Sequence, residues 1–420
     1  MNTREAALKT LYEIEYNGAF SNIAVKNMLK NQSMTIQEKG FYTRLVYGTL
    51  DKKITLDYII EKFSKIKLKK LSKYIHLILR MGIYQLKYMD YVPDSAAVNE
   101  SVKLARRYGH GASAGYVNGL LRNVSKNDIK YPDSGVNYLS VKYSFPIEMC
   151  LKWVNDFGYD FTEDLLRSFE SEPILILRPN TLKISADELA DKFNKKGIKS
   201  VSENGYVRSE GFDIAEDNMY INGMYTVQDY AAMQAAIVLD PQSGSTVIDM
   251  CAAPGGKTTH MAELMQNRGT IYAFDVYEHK VELIKKNAKR LGIDIIKAKL
   301  KDASVFDETL KKSADKILCD VPCTGTGIIR RKPDIKYTRV NDGSITDIQK
   351  KILDNASQYL KSGGELVYST CSIEKEENEG ITGEFLLNNT GFEKIYEKTM
   401  YPNIDGCDGF YICKIRKLQK

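Results

Sequence analysis

The stretch Val247-Ile-Asp-Met-Cys-Ala-Ala-Pro-Gly-Gly-Lys-Thr-Thr-His260 constrains the fold more than any other part of the chain. A β-branched run ends in an acid, passes a small-residue Pro-Gly-Gly turn and opens into an apolar-periodic segment. That is the sequence form of strand, tight loop and helix. Glycines let a backbone approach a ligand closely, and a helix start presents N–H groups to an anion. Pattern alone therefore places a cleft for a nucleotide-like cofactor at the carboxyl end of a first parallel strand.

Beyond Val247 the chain keeps the same alternation. Strands are predicted at 246–250, 271–275, 294–298, 316–320 and 365–370, with helices at 257–266, 278–291, 344–361 and 377–388. Such alternation implies a doubly wound, mainly parallel sheet of the Rossmann-like α/β class. Asp275 ends the second strand, Asp302 follows the third, Asp320 ends the fourth, and Ser369-Thr-Cys-Ser372 follows the fifth. One strand-end carboxylate is often only a helix cap, but successive strands ending in polar groups mark a site. An acid after the second strand can accept both hydroxyls of a ribose. The loop lacks the Gly-x-Gly-x-x-Gly of a dinucleotide fold, and Cys251 stands where a phosphate-binding loop needs its first glycine. S-adenosylmethionine fits better, because it needs a Gly-rich turn, a ribose-binding acid and an adenine-side acid.

Residues 4–126 read instead as helix after helix. Ile75 to Leu86 is apolar on most sides, the mark of a buried central helix in a bundle, and Gly109-His-Gly111 separates the last two helices. Charge divides the chain the same way: residues 1–130 carry 22 Lys and Arg against 11 Asp and Glu, and the remainder 38 against 43, within a net charge of +6. A basic module beside a mildly acidic one suits a polyanion-binding domain next to a catalytic one. The Lys-rich segment Lys62 to Lys73 is the candidate for phosphate contact. Between the two, Tyr131-Pro-Asp-Ser-Gly135 reads as a linker. A strand at Pro173–Leu177, a capping box at Ser185-Ala-Asp-Glu188 and further β-rich pieces to Tyr225 suggest a small α/β subdomain. The expected division is 1–130 helical and RNA-binding, 131–235 linker and small α/β RNA-binding subdomain, and 236–420 catalytic.

Seven cysteines include no Cys-x-x-Cys pair and only four histidines accompany them, so neither a disulfide framework nor a metal site is expected. The start lacks the apolar core of a signal peptide and no apolar run is long enough to span a bilayer, so a cytoplasmic protein without membrane contact is expected. Among the cysteines, Cys323 in Asp320-Val-Pro-Cys323 is informative. Enzymes that methylate exocyclic amines are expected to carry Asp/Asn-Pro-Pro-aromatic there, whereas a cysteine points to chemistry at a carbon. Cytosine C5 is not nucleophilic by itself. A thiolate adding to C6 makes C5 enamine-like, and loss of the C5 proton after methyl transfer expels the thiol. Cys323 and Cys371 compete for that role.

Two resemblances bear on these readings. Val92-Pro-Asp-Ser-Ala-Ala-Val-Asn-Glu-Ser-Val-Lys-Leu-Ala-Arg-Arg107 with Tyr116-Val-Asn-Gly-Leu-Leu-Arg122 resembles the NusB-type RNA-binding helical domain, over roughly residues 3–128. Within it Asn99, Glu100 and Asn118 read as core-facing polar residues that bridge helices. Asp249-Met-Cys-Ala-Ala-Pro-Gly-Gly-Lys-Thr258, Asp320-Val-Pro-Cys323 and Ser369-Thr-Cys-Ser372 resemble the RNA cytosine-C5 methyltransferase family, over roughly residues 140–417. The fusion of both halves is similar to bacterial small-subunit rRNA methyltransferases of the B type. The resemblance implies that Cys371 is the nucleophile and that Cys323 assists product release. It also implies that Cys251, Ala252, Ala253, Pro254, Gly255, Gly256 and Lys257, with Asp275, Asp302 and Asp320, bind S-adenosylmethionine. Lys257 would also order the active site, and Asp320 would reach the N3/N4 edge of the base. The basic loop Gly327-Ile-Ile-Arg-Arg-Lys-Pro-Asp334 would hold RNA backbone, and the expected partner is 16S rRNA, met by a monomer. A tRNA or DNA cytosine-C5 methyltransferase, or a non-catalytic RNA-binding assembly factor, are the rival readings.

Overall fold

Ser72 caps the helix Lys73–Tyr88 by accepting the Ile75 amide, and the residues Ile75 and Leu77 to Gln85 are all buried. A helix apolar on nearly every side needs partners all round it, and the other helices of the N-terminal third supply them. In the computed structural model, which describes residues 1–338 and 343–419, the chain divides into two units. The first is Met1–Ser171 with Ile329–Thr338, and the second is Glu172–Ile328 with Arg339–Lys420.

The first unit is all-helical. Thr3–Asn17, Ser21–Asn31, Ile36–Asp51, Lys53–Phe63, Asp94–Tyr108 and Ser113–Lys126 pack with the central helix around Leu8, Leu11, Tyr42, Leu45, Leu56, Ile78 and Leu121. The unit runs past residue 130, where the composition suggests a boundary. Three more helices, Gly135–Tyr143, Ile147–Phe157 and Tyr159–Ser168, belong to it. Two contacts explain this. The Ser144 hydroxyl accepts the Ile54 amide at 3.0 Å, and Thr55 Oγ1 donates to the Val141 carbonyl at 2.6 Å. Trp153, fully buried, packs against Phe145 and Phe169.

The unit also includes Ile329–Thr338, which bears on the basic loop expected over Gly327–Asp334. Ile329, Pro333 and Ile335 are buried, and Lys336 is buried with its ammonium 2.6 Å from Asp51 and 4.0 Å from the Phe145 ring. Of the three cations Arg330, Arg331 and Lys332, only Lys332 is exposed; the two arginines are half-buried. Ile329, Pro333 and Ile335 on either side of the cations anchor the segment, so it is not a free basic loop. Asn99 also departs from expectation. It lies exposed on its helix, and Glu100 is half-buried and pairs with Lys103 rather than facing the core.

The second unit contains two sheets. Strands β1 (Leu175–Pro179), β2 (Ser200–Glu203), β3 (Tyr206–Ser209) and β4 (Tyr225–Val227) form an antiparallel sheet in the order β2-β3-β1-β4. The helix Ala186–Lys195, started by a Ser185–Glu188 capping box, packs Leu189 and Phe193 against Leu177, Val207 and Tyr225.

The second sheet has seven strands: β5 (Thr246–Asp249), β6 (Thr270–Asp275), β7 (Ile296–Leu300), β8 (Ala314–Asp320), β9 (Leu360–Thr370), β10 (Phe392–Met400) and β11 (Phe410–Lys417). Their order is β10-β11-β9-β8-β5-β6-β7, parallel from β9 to β7 and antiparallel at β10 and β11. Alternate residues of the central strands enter opposite cores, as a sheet covered on both faces requires. Val247, Leu318 and Val367 meet the helices Tyr230–Leu239, Gly256–Leu264 and Glu278–Leu291 on one face. Ile248, Ile317, Cys319 and Tyr368 meet Ser344–Tyr359 and Glu379–Asn388 on the other. The sequence Gly409-Phe-Tyr-Ile-Cys-Lys414 suggests a final strand at the sheet edge, but β11 lies inside the sheet, because β10 pairs along its whole length and takes the edge.

Candidate active site

Four neighbouring parallel strands, β8, β5, β6 and β7, each end in or just before an acid: Asp320, Asp249, Asp275 and Asp302. The next strand, β9, pairs Ser369 with Asp320 and runs into Cys371. The topology thus collects the residues singled out from the sequence along one edge of one sheet, where α/β sheets bind ligands.

The loop after β5 is drawn tight. Met250 and Ala252 donate their amides to Leu318 and Phe274, tying the loop to both neighbouring strands, and Gly255 donates to Ala252 at 2.7 Å. Gly255 has φ +102°, and a Cβ there would lie 3.3 Å from the Ile284 Cα, so the position requires glycine. The helix Gly256–Leu264 starts directly after it. Asp249 beneath the loop is 1 % exposed; one of its oxygens accepts from Thr258 at 2.7 Å, while the other has no partner in the protein. Burial pushes this carboxyl up to about 7, with the Asp320 charge adding and the Thr258 hydrogen bond opposing. Asp275 is buried and accepts the Tyr277 amide, with Lys280 at 3.7 Å. Asp302 is exposed at the rim and accepts from the Ser304 amide and hydroxyl.

Lys257 reaches from the helix start to Asp320, Nζ to Oδ2 at 2.7 Å, and lies 4.9 Å from the Phe410 ring. Ser369 donates to the other oxygen of Asp320 at 2.9 Å. Burial alone would lower the Lys257 ammonium, but the Asp320 carboxylate, and more weakly Cys371, hold it above its ordinary value.

Cys323 and Cys371 come together, Sγ to Sγ at 3.2 Å. Cys323 is 5 % exposed, whereas Cys371 is only half-buried. The contact with Cys371, then burial, then the charges of Glu377 and Asp320, raise the Cys323 thiol well above its ordinary range. Glu377, which is fully buried, joins the two cysteine loops from behind. It accepts the Thr324 amide at 2.9 Å, the Thr324 hydroxyl, the Ser372 hydroxyl at 3.1 Å and the Gln349 amide at 3.1 Å. Asn378 donates to the Ser372 carbonyl and accepts from Thr370. In front, Gly327 donates its amide to the Cys371 carbonyl, and a Cβ on Gly327 would sit 2.0 Å from the Gly409 carbonyl oxygen. Of the five remaining cysteines, Cys150, Cys319, Cys407 and Cys413 are buried and Cys251 is half-buried, and none of the seven is in a disulfide.

The small sheet contributes one side chain to the loop. Arg178, at the end of β1, is 2 % exposed and donates to Gln228, to the Gly256 carbonyl at 2.7 Å, to Thr259 at 3.1 Å and to Glu263 at 2.9 Å. No sequence pattern singles out Arg178, Gln349, Glu377 or Asn378. A buried arginine is foreshadowed only by the apolar run before it, and Glu377 falls at the start of the helix predicted over 377–388. Among the described residues no group of three or more His, Cys, Asp or Glu side chains is placed to hold a metal ion. No described helix is long and apolar enough to cross a membrane.

Known proteins share both the sequence and the fold. Residues 236–416 match the family described as 16S rRNA methyltransferase RsmB/F, and residues 1–126 match the NusB family. The probable ribosomal RNA small subunit methyltransferase B of Bacillus subtilis is 37 % identical over 99 % of both chains. The solved structure of PH0851 superposes with a TM-score of 0.82 at 28 % identity, covering 98 % of this chain and 97 % of that one. A methyltransferase homolog protein from Pyrococcus horikoshii has a TM-score of 0.60 at 31 % identity, covering 67 % of this chain and 98 % of its own. Full-length similarity at this level, with the strand-end acids and paired cysteines in one site, shows that the chain belongs to the 16S rRNA methyltransferase RsmB/F family.

Proposed function

We propose that this protein methylates C5 of a specific cytosine in 16S rRNA, using S-adenosylmethionine, through a covalent bond between Cys371 and C6 of the base. The thiol pair carries the reading: Cys323 and Cys371 lie 3.2 Å apart at the ends of adjacent parallel strands, with the Lys257–Asp320 ion pair beside them. The family membership and the relative's printed name support rRNA as the substrate.

The loop Cys251–Lys257, with Asp275, Asp302 and Asp320, would hold S-adenosylmethionine. A glycine held at φ +102°, a buried carboxylate oxygen without a protein partner and a buried acid at the end of the second strand fit such a group. When bound, it supplies the methyl group as an electrophile. Cys371, half-buried and near the Lys257 ammonium, is suited to act as a thiolate. Its sulfur bonds to C6, leaving C5 electron-rich enough to take the methyl group. The C5 proton then leaves and the C6–S bond breaks, returning the thiolate. Cys323 keeps its proton across the neutral range and is suited to assist that release. Asp320, held by Lys257 and Ser369, would hydrogen-bond the N3/N4 edge of the base. The target would be a loop nucleotide, unstacked or flipped, since a stacked base hides C5 and C6 from a thiol. The helical unit with its exposed lysines would bind RNA backbone.

Incubation with separate rRNA, tRNA and DNA pools and labelled methyl donor tests the reading. Label should enter 16S rRNA alone, and Cys371→Ala should abolish it. Labelling of tRNA or DNA instead would select a rival substrate, and turnover by the variant would reassign the nucleophile.

A further inference from the structure

The two cysteines lie on separate loops, and something must hold their sulfurs within 3.2 Å. Their own backbones do only part of this. The residue after each one, Thr324 after Cys323 and Ser372 after Cys371, is bound to the same buried carboxylate, Glu377. We infer that Glu377 is a positioning residue that sets the separation and aim of the Cys323–Cys371 pair, a role that rests on the two-thiol reading of the site.

The geometry supports this in three ways. First, the carboxylate is saturated: Thr324 N and Gln349 Nε2 donate to one oxygen, and the Thr324 and Ser372 hydroxyls donate to the other. Four donors match the four lone-pair sites of an ionised carboxyl, which is acceptor-only. Second, the brace is itself braced. Tyr368 donates to the Glu377 carbonyl at 2.7 Å, and Gln349 also donates to the Pro322 carbonyl, next to Cys323, at 2.9 Å. Third, Asn378 fixes the Ser372 carbonyl from the same turn. One short segment thus grips both cysteine loops.

The oxygen pattern also distinguishes the substitutions. In Glu377→Gln the amide oxygen can still accept from Thr324 N and Gln349, while its NH2 can donate to the two hydroxyls, which rotate to accept. Glu377→Leu takes the common acceptor from all four donors: the Thr324 amide loses the carboxylate, Gln349 keeps only the Pro322 carbonyl, and the two hydroxyls can donate only to each other and Thr326.

Two readouts separate this inference from the function it deepens. The first needs no RNA. Diamide takes the two hydrogens of the thiol pair, joining Cys323 to Cys371 while itself being reduced to the hydrazine, and mass spectrometry of the full chain follows the linkage. Wild type and Glu377→Gln should cross-link at rates within about threefold of each other, and Glu377→Leu at least about tenfold more slowly, since near-contact geometry sets such a rate. The second is methylation of unmodified 16S rRNA transcript. kcat should fall about 100-fold in Glu377→Leu with KM for RNA nearly unchanged, and recover to within about tenfold of wild type in Glu377→Gln. If Glu377→Leu does not fold, Thr324→Val with Ser372→Ala removes both hydroxyl contacts while leaving the residue-324 amide on the carboxylate, and should slow cross-linking by more than about threefold. Cross-linking at the wild-type rate in Glu377→Leu, or in that double variant, overturns the positioning role. Wild-type protein that cross-links but methylates no 16S rRNA leaves the positioning role standing and removes the proposed function.

Discussion

Arg178 and Glu263 form a buried ion pair, with side chains 3 % and 1 % exposed and N–O at 2.9 Å, between the small sheet and the helix that follows the loop after β5. Removing one partner of such a pair costs about 3–5 kcal/mol, because the other charge stays buried and unpaired. Arg178→Met is the sharper perturbation. It also strips the donors from Gly256 and Thr259, so the upper part of that range applies. For a unit of this size about 2–4 °C accompanies each kcal/mol, so a loss of about 4–5 kcal/mol gives a fall of roughly 8–20 °C in the midpoint of the second unit. The loss has a definite pH dependence. Burial already raises Glu263, with the arginine opposing, and without Arg178 it would rise further. A carboxyl raised on folding contributes stability below its unfolded value and loses it as pH rises through its folded value. The deficit against wild type should therefore be larger at pH 8 than at pH 5. Neither partner is fully satisfied, since Arg178 Nε and Glu263 Oε2 have no hydrogen-bond partner, so Arg178→Met with Glu263→Leu should lose less than Arg178→Met alone. Scanning calorimetry of the full chain at both pH values measures all of this. A midpoint within 2 °C of wild type, taken as about 1 kcal/mol, or a deficit greater at pH 5, would refute the reasoning.

Asp249 obeys the same sign: burial pushes it up to about 7, so the ligand-free protein should lose stability as pH rises toward 8. Asp249→Asn should flatten that slope, gaining up to about 4 kcal/mol over wild type at the alkaline end; parallel urea midpoints at pH 5 and 8 for both proteins would sink it. Lys62, Lys65, Lys67, Lys69 and Lys70 are all exposed on one short stretch of the helical unit. Converting the five to Gln should reduce the slope of log affinity for RNA against log salt by about 3–4, and an unchanged slope would remove this stretch from the RNA-binding surface. Cys323→Ala should accumulate a protein–RNA adduct visible on a denaturing gel, whereas clean product release at the wild-type rate would count against its release role.

The strand–loop–helix at Val247–His260 was legible because each element carries its own signal: a β-branched run, a turn with Gly255 at a φ that favours glycine, and an apolar helix face. Strand ends follow from the same alternation, which is why Asp275 and Asp320 fall where expected. The misses share a cause. β10 carries Glu and Lys and is mostly exposed, so it has no apolar signature, and without it β11 reads as the edge. β7, also largely exposed, lies two residues later than its pattern implies. Asn99 sits beside the buried Ala97 and Val98, yet its own position on the helix faces solvent. Arg178 and Glu377 are charged residues whose burial depends on partners 85 and 53 positions away, at Glu263 and Thr324. Local pattern registers periodicity and turn chemistry; it does not register long-range hydrogen bonds that make a buried charge tolerable.

Two thiols held together at this sheet edge are proposed to place a methyl group on a cytosine carbon, and the product nucleoside decides whether they do. Unmodified 16S rRNA would be incubated with the full chain and isotope-labelled methyl donor, then digested to nucleosides and resolved by mass spectrometry. Label is expected in 5-methylcytidine alone, and absent with Cys371→Ala. Label in any other nucleoside, or 5-methylcytidine still formed by Cys371→Ala, would contradict the two-thiol mechanism.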